Sequence, residues 1–423
     1  MDVTGRVGLG VLAREWGRIG VLGFGGPPAH ILLLRRLCVE RRGWLTPEEF
    51  EDGIAATNLL PGPASTQLAV FTAWRLRGTP GALVGGACFI APGLALILAL
   101  AVLFLAGDPP PGVLGAAAGA GAAVPAVAVQ AATSLIPGSF ARAGRARVAR
   151  ARWTGYALAG AAAAIVTGPW LVLVLVAAGL TEVAARSGPR SRPGGKGARS
   201  GDKGPRSGDG RPRSRSRSGP GSGPRSGGRR TGPAAGLPLA VGLPALGGLG
   251  AVAWVAFKVG ALSYGGGFVI IPLMRDDAVN RHHWMTDGQF LNAVALGQVT
   301  PGPVVQTVAV VGYAAAGIAG GLLAAAVAFA PSFLFVILGG RHFDRLRADR
   351  RVQDFLTGAG PAVIGAIAGS AVPLAAALGH AWQWGVLAGA LLWLVAARRG
   401  VVLALLAAGA AGALAAAAGL PVA

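Results

Sequence analysis

Asn58-Leu59-Leu60-Pro61-Gly62-Pro63 interrupts an apolar segment, and the chain repeats the interruption as Gln298-Val299-Thr300-Pro301-Gly302-Pro303. The 240-residue spacing between Gly62 and Gly302 also carries Gly25 and Gly26 onto Gly265 and Gly266, Trp44 onto Trp284, Thr46 onto Thr286 and Phe50 onto Phe290. Each copy is an apolar segment, a glycine pair, a polar loop with Trp-x-Thr, and a second apolar segment broken at Pro-Gly-Pro. Pro-Gly-Pro removes two amide donors and stops the i to i−4 ladder. In an apolar setting the freed backbone groups are tolerated only where they line protein or a watery cavity.

The composition supplies that setting. The 423 residues are 53 % hydrophobic and 13 % charged, and residues 82–106 and 112–136 hold no charge at all. Each run exceeds the length that crosses a hydrocarbon core of about 30 Å as a helix. The reading is an all-α polytopic membrane protein. Seventy glycines suit close helix contacts in lipid. The first apolar stretch carries Arg14, Glu15 and Arg18, so it does not read as a cleaved leader. Cys38 and Cys88 are too few and too far apart for a disulfide framework or a metal site.

Much of the net charge of +21 is local: residues 186–236 hold fourteen Lys/Arg against two Asp among Ser, Gly and Pro. Lacking apolar residues, this segment is expected to be a disordered linker. The domains are therefore 1–185, 186–236 and 237–423.

Loop charge decides how the broken segments lie, because short cytoplasmic loops collect Lys and Arg. If the breaks crossed the membrane, each half would have six spans and the basic loops at 341–351 and 398–399 would fall outside. If each is a re-entrant hairpin, each half has about five spans. The loops at 75–77, 138–152, 186–236, 341–351 and 398–399 then all fall inside. An odd number of spans inserts the halves as inverted-topology repeats, a plan that places substrate at the repeat interface near the midplane.

The breaks are flanked by neutral hydrogen-bonding groups: Asn58, Thr66 and Gln67 in one copy, Gln298, Thr300, Gln306 and Thr307 in the other. Half-helix N-termini there attract anions. This set suits a polyatomic oxyanion and is poor for a metal cation, having no carboxylate, thiolate or imidazole. The candidate substrate-binding residues are Asn58, Pro61, Gly62, Pro63, Thr66 and Gln67 with Gln298, Thr300, Pro301, Gly302, Pro303 and Gln306. Gly25, Gly26, Gly265 and Gly266 join them as donor concavities, with packing or hinge positions as the alternative. Arg18 and Lys258, charges inside apolar segments, complete the set. Lys258 has no acid near it in sequence, whereas Arg18 has Glu15. No phosphate loop, nucleophile–histidine arrangement or metalloprotease helix is present, so ATP-driven pumping and hydrolysis have no support and no cofactor is expected.

Phe24-Gly25-Gly26-Pro27 with His30, Trp44-Leu45-Thr46, Phe50, and Leu60-Pro61-Gly62-Pro63 with Gln67 resemble the signature of the chromate ion transporter (CHR) family. The second half repeats it as Tyr264-Gly265-Gly266-Gly267, Trp284-Met285-Thr286, Phe290 and Thr300-Pro301-Gly302-Pro303. The resemblance implies the two-domain form of the family, a plasma-membrane secondary transporter exporting chromate on the proton motive force, with sulfate exchange also suggested for the family. Gly267-Phe268 in place of Pro27-Pro28 means that the two sites need not be equivalent. Expected partners are a chromate-like oxyanion and the lipid bilayer, with a homodimer left open and no specific nucleic acid. A sulfate or other oxyanion transporter is the alternative, and a scaffold using the basic linker is the alternative of a different class.

Overall fold

Residues 58–63 turn the chain back on itself. In the computed structural model, α3 (Pro47–Thr57) and the start of α4 (Ala64–Leu105) lie side by side about that turn. A Cβ on Gly53 would sit 2.9 Å from the Phe71 ring, nine residues on the other side of Gly62. The structure describes residues 7–58, 60, 62–105, 109–144, 146–166, 171–187, 248–263, 267–339 and 348–422. Pro61, Gly265, Gly266, the Gly168-Pro169 turn, most of the 341–351 loop and the expected linker from residue 188 lie outside them.

α4 is two limbs. Arg77 and Gly78 leave helical geometry, Gly78 at φ +65°, and the limbs fold together so closely that a Cβ on Gly81 would meet Ala73 O at 2.3 Å. α3, residues 64–76 and residues 79–105 therefore run back and forth beside one another. The second half does the same. α10 (Asp287–Val299) turns at Gly302 into α11 (Thr307–Gly339), which breaks at Ala316 and Gly317, the latter at φ +63°. Its limbs touch through Gly312 and Gly320.

Before each hairpin stands a short apolar helix, α1 (Leu9–Leu22) or α8 (Gly248–Leu262). Each lies against its own half's long limb through one glycine: a Cβ on Gly20 would be 2.4 Å from Phe89 O, and one on Gly260 2.0 Å from Ala328 O. Such approaches bring backbones into van der Waals contact where lipid provides no hydrophobic drive between helices.

The charge-rich loops of the sequence reading are largely helical. α2 (Pro27–Arg35) and the short α9 (Ile271–Arg275) each run on into a π-helical turn, Arg36–Arg41 and Asp276–Arg281. The Trp-x-Thr motif then starts the hairpin. Thr46 and Thr286 are helix N-caps in reciprocal boxes with Glu49 and Gln289, satisfying amides at the start of α3 and α10.

α5 (Pro111–Ala143), α6 (Arg147–Val166) and α7 (Leu171–Ser187) complete the first half. The second half ends in α12 (Arg350–Ala376), α13 (Ala381–Leu391, continued by a π-helical turn) and α14 (Val401–Ala417). Each half packs these on the other: α5 on α14 through Gly115 and Gly412, and α12 on α6 through Gly160 and Gly365, and on α7 through Gly358. Residues 1–187 and 245–423 thus form one compact unit.

Four helices, Ala64–Leu105, Pro111–Ala143, Val304–Gly339 and Arg350–Ala376, are long and apolar enough to cross a membrane. Shorter apolar helices stand at Gly248–Leu262, Ala381–Ala396 and Val401–Ala417. The architecture is all-helical and membrane-protein-like.

Candidate functional site

Each break is held by the other half. Gly62 N–H donates to Ser263 O at 2.7 Å, and Gly302 N–H donates to Gly23 O at 3.1 Å. Ser263 stands 240 positions after Gly23 and Gly302 240 after Gly62, so these are one contact made twice with the halves exchanged. Gly62 has φ +126° and Gly302 φ +110°, a region open to glycine and strained for other residues. The breaks therefore meet the ends of α1 and α8.

The surroundings of Gly302 are tightly filled. Gln306 is buried and its amide donates to Ile90 O on α4 at 2.9 Å. Gly93 approaches so closely that a Cβ there would be 2.0 Å from Pro301 O. Thr300 and Thr307 spend their hydroxyls on Leu296 O and Val304 O of their own segment, both at 2.8 Å. His30 Nε2 lies 2.9 Å from Gly23 O, the carbonyl that also accepts from Gly302.

Gly62 has a different environment. A Cβ on it would lie 2.3 Å from the Gln67 amide and 3.2 Å from Ser332 Oγ, contributed by α11 of the other half. Ser263 supplies the carbonyl, and its Oγ turns towards the Gly267 side of the same turn. Ser263, Ser332 and Thr66 are each 0 % exposed. Their hydroxyls have no hydrogen-bond partner among the described residues. A buried hydroxyl without a partner is costly and calls for an explanation such as a ligand or a water.

Of the candidates read from the sequence, Gly62, Pro63, Thr66 and Gln67 come together, as do Thr300, Pro301, Gly302, Pro303 and Gln306. Gln298 is half-buried, with its Nε2 enclosed. Asn58 is exposed at the end of α3. Gly25 is exposed and Gly26 half-buried at the start of α2, at φ +97° and +75°. Arg18 is exposed on α1. Lys258 is half-buried, ion-paired with Asp277 and set over the Trp254 ring at 5.9 Å. Its acid lies nineteen residues on, out of reach of a search along its own helix. Glu15 and Glu182, the acids within apolar segments, are also paired: Glu15 with Arg42, Glu182 with Arg152 at 2.9 Å and Arg186 at 2.6 Å.

Ser263 and Ser332 were not among the sequence candidates. Ser263 falls two residues before the Gly-Gly pair and Ser332 directly after Pro331. The proline is the available signal, since it too interrupts a helix close to a break.

Both halves match the family described as chromate transporter, over residues 11–182 and 250–413. A chromate transport protein of Cupriavidus metallidurans is 30 % identical over 85 % of this chain and 80 % of its own length. One of Pseudomonas aeruginosa is 29 % identical over 85 % and 79 %. A probable chromate transport protein of Synechococcus elongatus is 26 % identical over 86 % and 84 %. No solved structure matches the chain. With both repeats matched, and with the glycine pairs and Pro-Gly-Pro breaks inside the matched residues, the chain belongs to the chromate transporter family.

Proposed function

We propose that the chain is a secondary active transporter that exports chromate across the plasma membrane, working as two inverted-topology repeats with a re-entrant hairpin in each. The observation that carries the reading is the exchanged pair of bonds, Gly62 N–H to Ser263 O and Gly302 N–H to Gly23 O. It brings two helix breaks to one interface between the halves, where a transporter of this plan holds substrate. Hairpin legs of eleven residues in α3 and thirteen in α10 reach only about 16–20 Å at about 1.5 Å per residue. That is short of a hydrocarbon core of about 30 Å and supports re-entry rather than crossing.

Chromate is a tetrahedral dianion, and uncharged donors with a helix N-terminus suit it. The first-turn amides of α4, beginning at Ala64, have no acceptor within their helix. Glu15 and Glu182 are held in ion pairs, so a carboxylate relay finds little material. Anion exchange or a proton carried with the anion fits the residues better.

Everted membrane vesicles from cells expressing the chain, energised and offered labelled chromate, should accumulate it above empty-vector vesicles. Excess sulfate separates the readings, since a sulfate transporter would lose chromate uptake to it. Uptake equal to the empty vector would overturn the assignment. A cysteine-labelling map tests topology: the turns at 75–77 and 398–399 should both label from the cytoplasm, and outward labelling of either contradicts inverted repeats.

A further inference from the structure

We infer that the two breaks are not two anion sites but one: the oxyanion is held at the first break by the Ser332 and Thr66 hydroxyls, and the second break is a structural counterpart. The inference rests on the transport reading above and adds which break binds and through which side chains.

Superposing the halves by their own landmarks makes the argument. Before the breaks the copies are 240 residues apart, matching Gly23 to Ser263. After them the kinks Gly78 and Gly317 and the prolines Pro92 and Pro331 are 239 apart. On that register Gln67 matches Gln306, Thr66 matches Val305 and Ser332 matches Gly93. Each hydroxyl at the first break is thus replaced by glycine or valine at the second.

The replacements change what each break can do. At the second, Gly93 has no side chain and its backbone closes on Pro301 O, while Gln306 Nε2 donates to Ile90 O and the atom left without a partner among the described residues is Gln306 Oε1, an acceptor that offers an anion nothing. At the first, Ser332 Oγ comes from the opposite half and Thr66 Oγ1 from the first turn of α4, and both are fully buried without a partner among the described residues. Hydroxyl donors beside the orphan amides of a helix N-terminus suit a tetrahedral dianion. No charged residue lies between Gly53 and Trp74, so the anion would be bound by neutral donors and released without breaking an ion pair.

The binding role also has a signature that a packing role lacks. A hydroxyl buried without a partner destabilises the empty protein, so removing it should leave the fold as stable or more so while weakening the anion. The test uses the full chain, purified in detergent and reconstituted in liposomes. Ser332→Ala and Thr66→Val should each raise the KM for labelled chromate about tenfold or more, the loss expected for a hydrogen bond to a charged group. The Tm of the anion-free variants should be unchanged or higher. Val305→Thr, which places a hydroxyl at the second break, should leave KM unchanged. An unchanged KM in Ser332→Ala and Thr66→Val overturns the inference, as does a KM rise in step with a lower Tm.

Wild-type liposomes that move no chromate would overturn the transport reading instead. Thermal shifts of wild type and Ser332→Ala with chromate, molybdate and sulfate then decide the site alone. A shift confined to wild type supports it, and equal or absent shifts overturn it.

Discussion

In the first half the charge buried on the leading helix is an acid, Glu15, and Arg42, the residue that ends the following π-helical turn, answers it; in the second half Lys258 stands on the helix and Asp277 answers. The unpartnered Ser332 and Thr66 hydroxyls of the first break are likewise replaced by Gly93 and Val305 at the second, where Thr300 and Thr307 spend their hydroxyls on their own segment. Against these differences stand features repeated almost atom for atom. They are the single glycine packing α1 and α8 on their long limbs, the Thr46 and Thr286 capping boxes, the glycine kinks at 78 and 317, and the exchanged amide bonds. The backbone plan is kept where it turns and packs the chain, while the chemistry of the two copies has separated. Two copies of one fold can therefore serve one site.

The comparison is tested most severely where the halves interlock. A Cβ on Gly365 would lie 1.7 Å from Ala157 O, a backbone atom that cannot swing aside. Gly365→Val should abolish folded protein, seen as loss of the monodisperse peak in detergent. Gly121→Ala, whose Cβ meets the Asn292 side chain at 2.8 Å, should be milder.

The breaks come next. Gly62→Ala and Gly302→Ala each impose a left-handed conformation on a residue with a Cβ and press it on a glutamine amide. Each should cost about 1–3 kcal/mol, read by thermal denaturation. Similar losses in both would support equal structural roles, and a neutral Gly302→Ala would break the equivalence.

The charge pairs sharpen the difference. Asp277→Ala leaves the half-buried Lys258 ammonium without its partner and should cost about 2–3 kcal/mol, somewhat below the range for a fully buried pair because Lys258 keeps some solvent. Exchanging the pair, Lys258→Asp with Asp277→Lys, should recover most of that. If stability returns and chromate uptake does not, Lys258 serves the anion as well as the fold.

The smallest effects belong to the caps. Thr46→Ala and Thr286→Ala should each cost about 1 kcal/mol and by similar amounts, with uptake little changed.

Much of this was legible in the sequence. The repeat located both breaks, charge-free runs located the long helices, and the short legs of the broken segments are consistent with the re-entry that loop charge favoured. The π-helical turns Arg36–Arg41 and Asp276–Arg281 were hidden because their mixed charge reads as loop. Asp277 could not be assigned to Lys258 along one helix, since the pair closes across a turn. Ser332 was hidden for a further reason: one residue is lost after the second break, so the 240-residue register that revealed the repeat sets Ser332 against Pro92 instead of Gly93. Ser332 also comes from the opposite half, where no spacing rule points.

The most direct measurement is the stoichiometry of labelled chromate bound at saturation to the purified chain. The account predicts one chromate per chain, bound about tenfold more weakly in Ser332→Ala and with unchanged affinity in Val305→Thr. Two chromates per chain, or one that survives Ser332→Ala unchanged, would contradict it.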